Sequence, residues 1–253
     1  MPPSALPSDW FADDAFWETT YPFMFPPDRF AAAGAELDAV LALVGGDPRR
    51  VLDVACGPGR HAVAAAARGL DVVGLDRSAF LLGKARALAE REGVAVEWVE
   101  GDMREPVATP PVDLVLNLFT SFGYFDAEAD NRRVLEAARA ALRPGGTFVV
   151  DVLGKEVLAR IFSPSSVDDA PGETLVVQRR RIAGDWRRIE NEWTLVHDGR
   201  ARSFSFGHWL YSGAELRQML LDAGFAEVAL FGGFDSAPYG PAATRLVAVA
   251  RAA

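Results

Sequence analysis

The sequence predicts an α/β protein: an open, doubly wound, mostly parallel sheet with an inserted antiparallel β lid and an N-terminal helical cover. Three observations predict it. Between residues 50 and 153, short apolar runs alternate with segments of helical period, as in successive βαβ units. The runs VLDVA, VVGL, LVLNLF and TFVVDVL are almost continuously apolar, which suits strands covered by helices on both faces. Over residues 173–211 the period changes to two, and Gly184-Asp185 and Asp198-Gly199 supply hairpin turns.

The elements follow in order. Residues 10–27, WFADDAFWETTYPFMFPP, are too aromatic to stay solvated and form an ordered cover. Asp28 caps a helix through about Val44, with Phe30, Leu37, Val40, Leu41 and Val44 near helical spacing. Strand 50–55 leads to helix 60–68, which ends at Gly69. Strand 71–75 leads to helix 78–92, with Ser78 as N-cap and Gly93 as stop. Strand 94–99 and strand DLVLNLF follow, then a helix from about Ala127 to Leu142. Pro144-Gly145-Gly146 turns the chain into strand TFVVDVL. In the lid, ETLVVQRRRI, WRRIENEWTLV and RARSFSFGHWLY read as strands, with Phe204, Phe206, His208 and Leu210 on one face. Ser212 and Glu215 form a capping box for a helix ending at Gly224, and FAEVALF and TRLVAVA are the last strands. The expected division is 1–46 cover and helix, 47–153 core, 173–211 lid, and 212–253 remainder of the core sheet.

Composition bounds the function. The chain has 253 residues, half of them hydrophobic, which suits one large soluble domain with an appended lobe. Its net charge of −9 argues against a broad nucleic-acid or membrane surface. The one dense basic cluster, Arg179, Arg180, Arg181, Arg187 and Arg188, falls on the lid strands, where a solvated hairpin face accounts for it. The single cysteine, Cys56, excludes an internal disulfide, and no Cys/His spacing suggests a metal site. The start of the chain lacks the basic and apolar regions of a signal peptide, and no run has the length of a membrane span. A cytoplasmic location is expected. Arginine in place of nearly all lysine, with abundant alanine, suggests a bacterial, GC-rich source.

The chemistry centres on VLDVACGPGRHA, residues 51–62. A strand running into a glycine loop and a helix brings free backbone N–H groups to the carboxyl edge of the sheet, where open α/β sheets bind ligands. Gly57 and Gly59 admit a ligand against bare backbone. Asp53, inside the strand where hydride-transfer enzymes usually carry an apolar residue, suits a cationic or amino-bearing ligand. Ala62 stands at the third position of the G-x-G-x-x-G spacing, so the glycines alone do not choose between cofactors.

Five segments in order then resemble the motifs of the class I S-adenosylmethionine-dependent methyltransferases, in particular a bacterial subgroup acting on small molecules. VLDVACGPGR is similar to the first motif and VVGLDRS to the second. VEGDMRE resembles the adenine-side motif, DLVLNLFTSFGYF the fourth-strand motif, and LRPGGTFVVDV the turn before strand five. The resemblance implies a Rossmann-like fold, S-adenosyl-L-methionine as cofactor and S-adenosyl-L-homocysteine as product. It implies a cofactor site of Asp53, Ala55, Cys56, Gly57, Gly59, Arg60, Asp76, Arg77, Gly101, Asp102, Met103, Leu118 and Phe119. Within it Asp76 accepts from the ribose hydroxyls, Asp102 and Met103 hold adenine, and Leu118 and Phe119 lie beside the methionyl part. Arg60 either orders the loop or reaches the methionyl carboxylate. In relatives of this build an N-terminal tyrosine closes over the cofactor, here Tyr21.

Methyl transfer needs alignment and exclusion of water more than a catalytic dyad. The expected acceptor walls are Trp17, Tyr21 and Phe23, the loop Thr120–Phe125, and the lid end His208–Tyr211. The polar candidates facing the acceptor are Tyr21, Tyr124, His208 and Tyr211. Asn117 is followed by Leu118-Phe119 and not by a double proline, unlike the amine methylases of nucleic-acid bases, so the expected partner is a small molecule. The alternatives are a non-catalytic S-adenosylmethionine-binding or regulatory protein and a nicotinamide-dependent oxidoreductase. Nothing in the pattern sets the oligomeric state.

Overall fold

The computed structural model describes residues 9–253, so residues 1–8 of the expected segment 1–46 lie outside the described residues. A 3-10 turn, Trp10–Ala12, precedes α1 (Asp14–Met24) and α2 (Pro27–Val44). Then come β1 (Arg50–Val54), α3 (Arg60–Ala66), β2 (Asp71–Asp76), α4 (Ala79–Glu92), β3 (Glu97–Glu100), β4 (Val112–Asn117), α5 (Glu128–Ala141) and β5 (Leu142–Val152). After α6 (Lys155–Ile161) the lid strands are β6 (Ser165–Ala170), β7 (Thr174–Ala183), β8 (Arg188–His197) and β9 (Arg200–Trp209). The chain closes with α7 (Gly213–Asp222), β10 (Phe225–Phe231) and β11 (Leu246–Ala252).

The main sheet has the order β10-β11-β5-β4-β1-β2-β3. Strands β1 to β5 run parallel, and β11 is antiparallel to both β5 and β10. The order reverses between β1 and β4, which opens a crevice at their carboxyl ends. Successive strand residues point to opposite faces. Val51, Val72, Leu114 and Val149 therefore pack with Leu37 and Val40 of α2, while Leu52, Val73, Val115 and Val150 pack with Val134, Leu135 and Leu216 of α5 and α7. Each such buried side chain contributes about 1.5–3 kcal/mol relative to exposure, which is why continuously apolar strands select a two-sided cover.

The lid is a separate antiparallel sheet, β6-β7-β8-β9. The N-terminal cover sits on β9. Trp10 Nε1 donates to the Gly207 carbonyl at 3.2 Å, and Phe16 meets Phe204 and Phe206 edge-on at 5.4 and 5.3 Å. Among the described residues no helix is long and apolar enough to cross a membrane.

Several local expectations are corrected. The aromatic cover contains a true helix, α1, with Pro22 inside its last turn. α2 begins at Pro27, not after Asp28, because proline at the first helical position gives up only an N–H that has no partner there; Asp28 makes no cap bond. The strand expected over 94–99 begins at Glu97, since Gly93 turns left-handed and Val94 N–H bonds Ala89 O, closing α4. Pro144-Gly145-Gly146 lies within β5, in an irregularity of its ladder between Leu142↔Val112 and Thr147↔Leu114, with Gly145 at φ +72°. The lid gains β6, whose polar SSVDDA sequence at a sheet edge carries no apolar stripe to reveal it. The caps hold: Leu81 N–H donates to Ser78 Oγ at 3.2 Å, and Ser212 and Glu215 form the reciprocal capping box.

Candidate active site

The carboxyl end of β1 runs into a left-handed Ala55 (φ +55°), and Cys56 N–H bonds Leu75 O at 2.9 Å, stitching the loop to β2. Gly57 (φ +57°) donates its N–H to Asp76 Oδ2 at 2.7 Å. Above this loop opens a cleft of about 980 Å³, counting its mouth. Most of the expected cofactor residues line it: Asp53, Ala55, Cys56, Gly57, Arg60, Asp76, Arg77, Gly101, Asp102, Met103, Leu118 and Phe119.

Gly59 does not line the cleft. It is left-handed (φ +77°), and a Cβ there would stand 2.7 Å from Trp98 Cη2 and 2.8 Å from Ala85 Cβ. Its side-chain hydrogen makes room for helix and strand packing, which corrects the expectation that both glycines admit ligand. At Gly57, by contrast, the nearest atom to a Cβ would be Phe25 Cζ at 3.7 Å.

Three carboxylates stand at the ends of β1, β2 and β3. Asp53 is 3% exposed and its Oδ2 has no hydrogen-bond partner. Burial pushes its pKa up to about 7, against the pull of Arg60 and with a further push from Asp76. Asp76 accepts from Gly57 N and, at 2.9 Å, from Ser78 N. Burial raises it to about 6 although the backbone N–H groups of Ser78, Gly57 and Arg77 favour the anion. Asp102 is fully committed as an anion. Burial works to raise its carboxyl, but the Arg104 side chain (2.6 and 3.0 Å) and backbone N–H carry it below the usual range.

Arg60 is buried, ion-paired with Glu36 and bonded to Arg29 O, while its guanidinium lies 4.0 Å over the Phe119 ring. His61 meets Glu36 at 2.9 Å and stacks on Phe119. Thus Arg60 orders the wall of the cleft through Glu36.

The acceptor candidates separate. Tyr124 lines the cleft, stacked on Phe11 at 6.0 Å, and burial pushes its phenol above its usual value. Tyr21 turns to α4 instead, against Phe80 at 5.7 Å with Lys84 over its ring; Met24 and Phe25 take the place over the loop that the resemblance implied for Tyr21. His208 is half-buried behind Tyr124, and desolvation, with Arg188 adding to it, lowers its pKa to about 4. Tyr211 packs on Phe122, away from the cleft, with its hydroxyl buried and unpartnered. The reading of the sequence missed Phe11, Met24, Phe25 and Arg29 as lining residues. A 3.6-residue spacing through α1 was the available signal for Met24 and Phe25, masked by Pro22.

Residues 51–146 match a family model described as a methyltransferase domain. Over 196 residues the chain is 27% identical to a putative methyltransferase of Geobacillus sp. (strain WCH70), covering 75% of this chain and 79% of that one. It is 36% identical to the tRNA 5-carboxymethoxyuridine methyltransferase of Escherichia coli (strain K12), over 47% of this chain and 46% of that relative, so the match spans only about half of either. Among solved structures it is similar to S-adenosylmethionine-bound CalS10, an amino pentose methyltransferase from Micromonospora echinaspora, at 25% identity and TM-score 0.68, covering 94% of this chain and 97% of that one. Residues 51–146 carry a methyltransferase domain, and the fold of the whole chain is that of solved S-adenosylmethionine-dependent methyltransferases, an arrangement consistent with S-adenosylmethionine as cofactor.

Proposed function

We propose that the protein transfers a methyl group from S-adenosylmethionine to a small-molecule acceptor held beneath the N-terminal cover. Asp53 receives the ammonium of the methionyl part, Asp76 the ribose hydroxyls, and Asp102 with Met103 the adenine. The observation that carries this reading is the buried, half-satisfied Asp53. Leaving a buried carboxylate oxygen unpaired costs free energy, and a ligand ammonium supplies the missing donor and charge. Each Asp76 oxygen accepts one backbone N–H and keeps a lone pair for a hydroxyl. Gly57 leaves the floor open to a ligand.

When bound, S-adenosylmethionine supplies a methyl carbon activated by its sulfonium. The chain aligns the acceptor and excludes water: Phe11, Trp17 and Phe25 close the cleft from the cover, and Tyr124 and Phe125 from the loop after β4. Of the titratable groups lining the cleft, Asp53, Asp76 and Asp102 are assigned to the cofactor, which leaves none of them as a base for the acceptor. Burial lowers His61, which is committed to Glu36, and raises the Tyr124 phenol. The acceptor therefore reacts through a nucleophile that arrives unprotonated. An acidic chain and an aromatic pocket favour an uncharged small molecule over nucleic acid.

Calorimetric titration with S-adenosylhomocysteine beside NADH tests the cofactor assignment, with micromolar binding of the first alone expected. A methyl-transfer panel of amino sugars, phenols and unmodified tRNA tests the acceptor class. Turnover of tRNA alone would overturn the small-molecule reading.

The acid pair also predicts pH dependence. An unfolded aspartate titrates near 3.9, so between about pH 4 and 7 the folded, ligand-free protein holds more protons than the unfolded chain. Its stability falls as pH rises through that window, on account of Asp53 and Asp76. Ligand ammonium binds the ionised Asp53, so affinity for S-adenosylhomocysteine should rise from pH 5.5 to 7.5 with release of protons. Titration in buffers of different ionisation enthalpy reads that release, and Asp53→Asn should flatten the slope. An unchanged slope in the variant would assign the dependence to another group.

A further inference from the structure

We propose that the pair formed by buried Asp151 and half-buried Arg245 is a positioning device that holds the methyl-donor end of the cofactor cleft in shape. The inference rests on the cofactor orientation proposed above. It adds two residues outside the matched domain, at the end of β5 and just before β11.

The feature to be explained is the turn after β4. Phe119 and Thr120 both adopt left-handed backbone, at φ +58° and +66°. Two consecutive non-glycine residues in that region persist only when their surroundings over-determine them. Here the surroundings are Asp151, through its carboxylate and its main-chain carbonyl, and the Arg245 guanidinium. Phe119 N–H donates to Asp151 Oδ2 and Thr120 N–H to Asp151 O, each at 2.9 Å. Arg245 Nε pairs with the other oxygen, Asp151 Oδ1, and its Nη2 donates to Thr120 Oγ1 at 3.2 Å. The Arg245 guanidinium also lies 4.9 Å from the Phe119 ring centre, a ring that Arg60 and His61 hold as well.

The turn carries Leu118, Phe119 and Ser121 into the cleft. Asp151 itself is fully buried and does not line it. Burial raises the Asp151 carboxyl even against Arg245, so the pair is a poor source of stability. Its atoms are spent on the geometry of a cleft wall. Asp151 and Arg245 are thus positioning residues, acting through Phe119 and Thr120.

The test compares two ligands on the full chain. S-adenosylhomocysteine carries the amino-acid arm; 5′-methylthioadenosine has the same nucleoside without it. In Asp151→Asn and in Arg245→Met, affinity for the first should fall about tenfold or more while affinity for the second stays within about twofold. Arg245→Lys, which keeps the charge but not the forked contact, should fall between, and serves if the other variants fail to fold. Circular dichroism verifies folding. Equal loss of both ligands marks a merely structural pair and overturns the proposal, as does unchanged affinity for S-adenosylhomocysteine. A wild-type protein that binds 5′-methylthioadenosine but gains nothing from the amino-acid arm overturns it too. Wild-type protein that binds neither ligand overturns the cofactor reading and this proposal with it.

Discussion

Asp76→Asn is expected to weaken S-adenosylhomocysteine binding by about 100-fold, from roughly 3 kcal/mol of lost hydrogen bonding to an anion. The side chain keeps its size, so the cleft keeps its shape. What changes is the acceptor count. Both oxygens already serve the protein, one through Gly57 N–H and the other through Ser78 N–H. An amide presents its NH₂ to one of those donors and leaves one oxygen to serve the other donor and the ribose. The same change loosens the glycine loop, so the melting temperature of the ligand-free protein should fall as well. Calorimetry measures the first effect and a thermal scan without ligand the second. Undiminished affinity in a folded Asp76→Asn protein would remove Asp76 from the ribose site.

Gly59→Ala is expected to destabilise the protein by about 3 kcal/mol or more, and Gly57→Ala by only about 1. Both glycines sit at positive φ, so both substitutions carry backbone strain. Only at position 59 does the new methyl strike something that cannot retreat. The Trp98 ring on β3 also lies against Gly74 of β2, so two missing side chains make the slot it fills. The Ala85 backbone blocks the other side, its Cα standing 3.3 Å from the added carbon. Position 57 faces the cleft, so its alanine should cost ligand affinity more than stability. Urea unfolding of the two variants, with titration of each, separates packing from binding. Equal loss of stability at the two positions would sink this division of labour.

Much of the fold was legible because its signals are local. Continuous apolar strands implied a two-sided cover, and the capping residues Ser78, Ser212 and Glu215 act as their positions suggest. Asp53, Asp76 and Asp102 reach the cleft because they stand at or within two residues of the carboxyl ends of β1, β2 and β3, where the chain emerges at the sheet edge. Segments without a stripe escaped: β6 is polar and exposed, and the proline in α1 hid a helix whose aromatic faces pack on different partners.

The sequence by itself determined the sheet, the glycine loop, the three acids and the family they resemble. Tertiary structure decided which aromatic side chains face the ligand. Phe25, not Tyr21, lies over Gly57, and His208 and Tyr211 are turned from the cleft that Tyr124 enters. It also joined Asp151 to Arg245 across 94 residues of chain. Periods of 2 and 3.6 say which residues share a face of one element. They do not say how a lid and a cover, folded from distant segments, rotate those faces against each other; that is settled by close packing of whole side chains across the core.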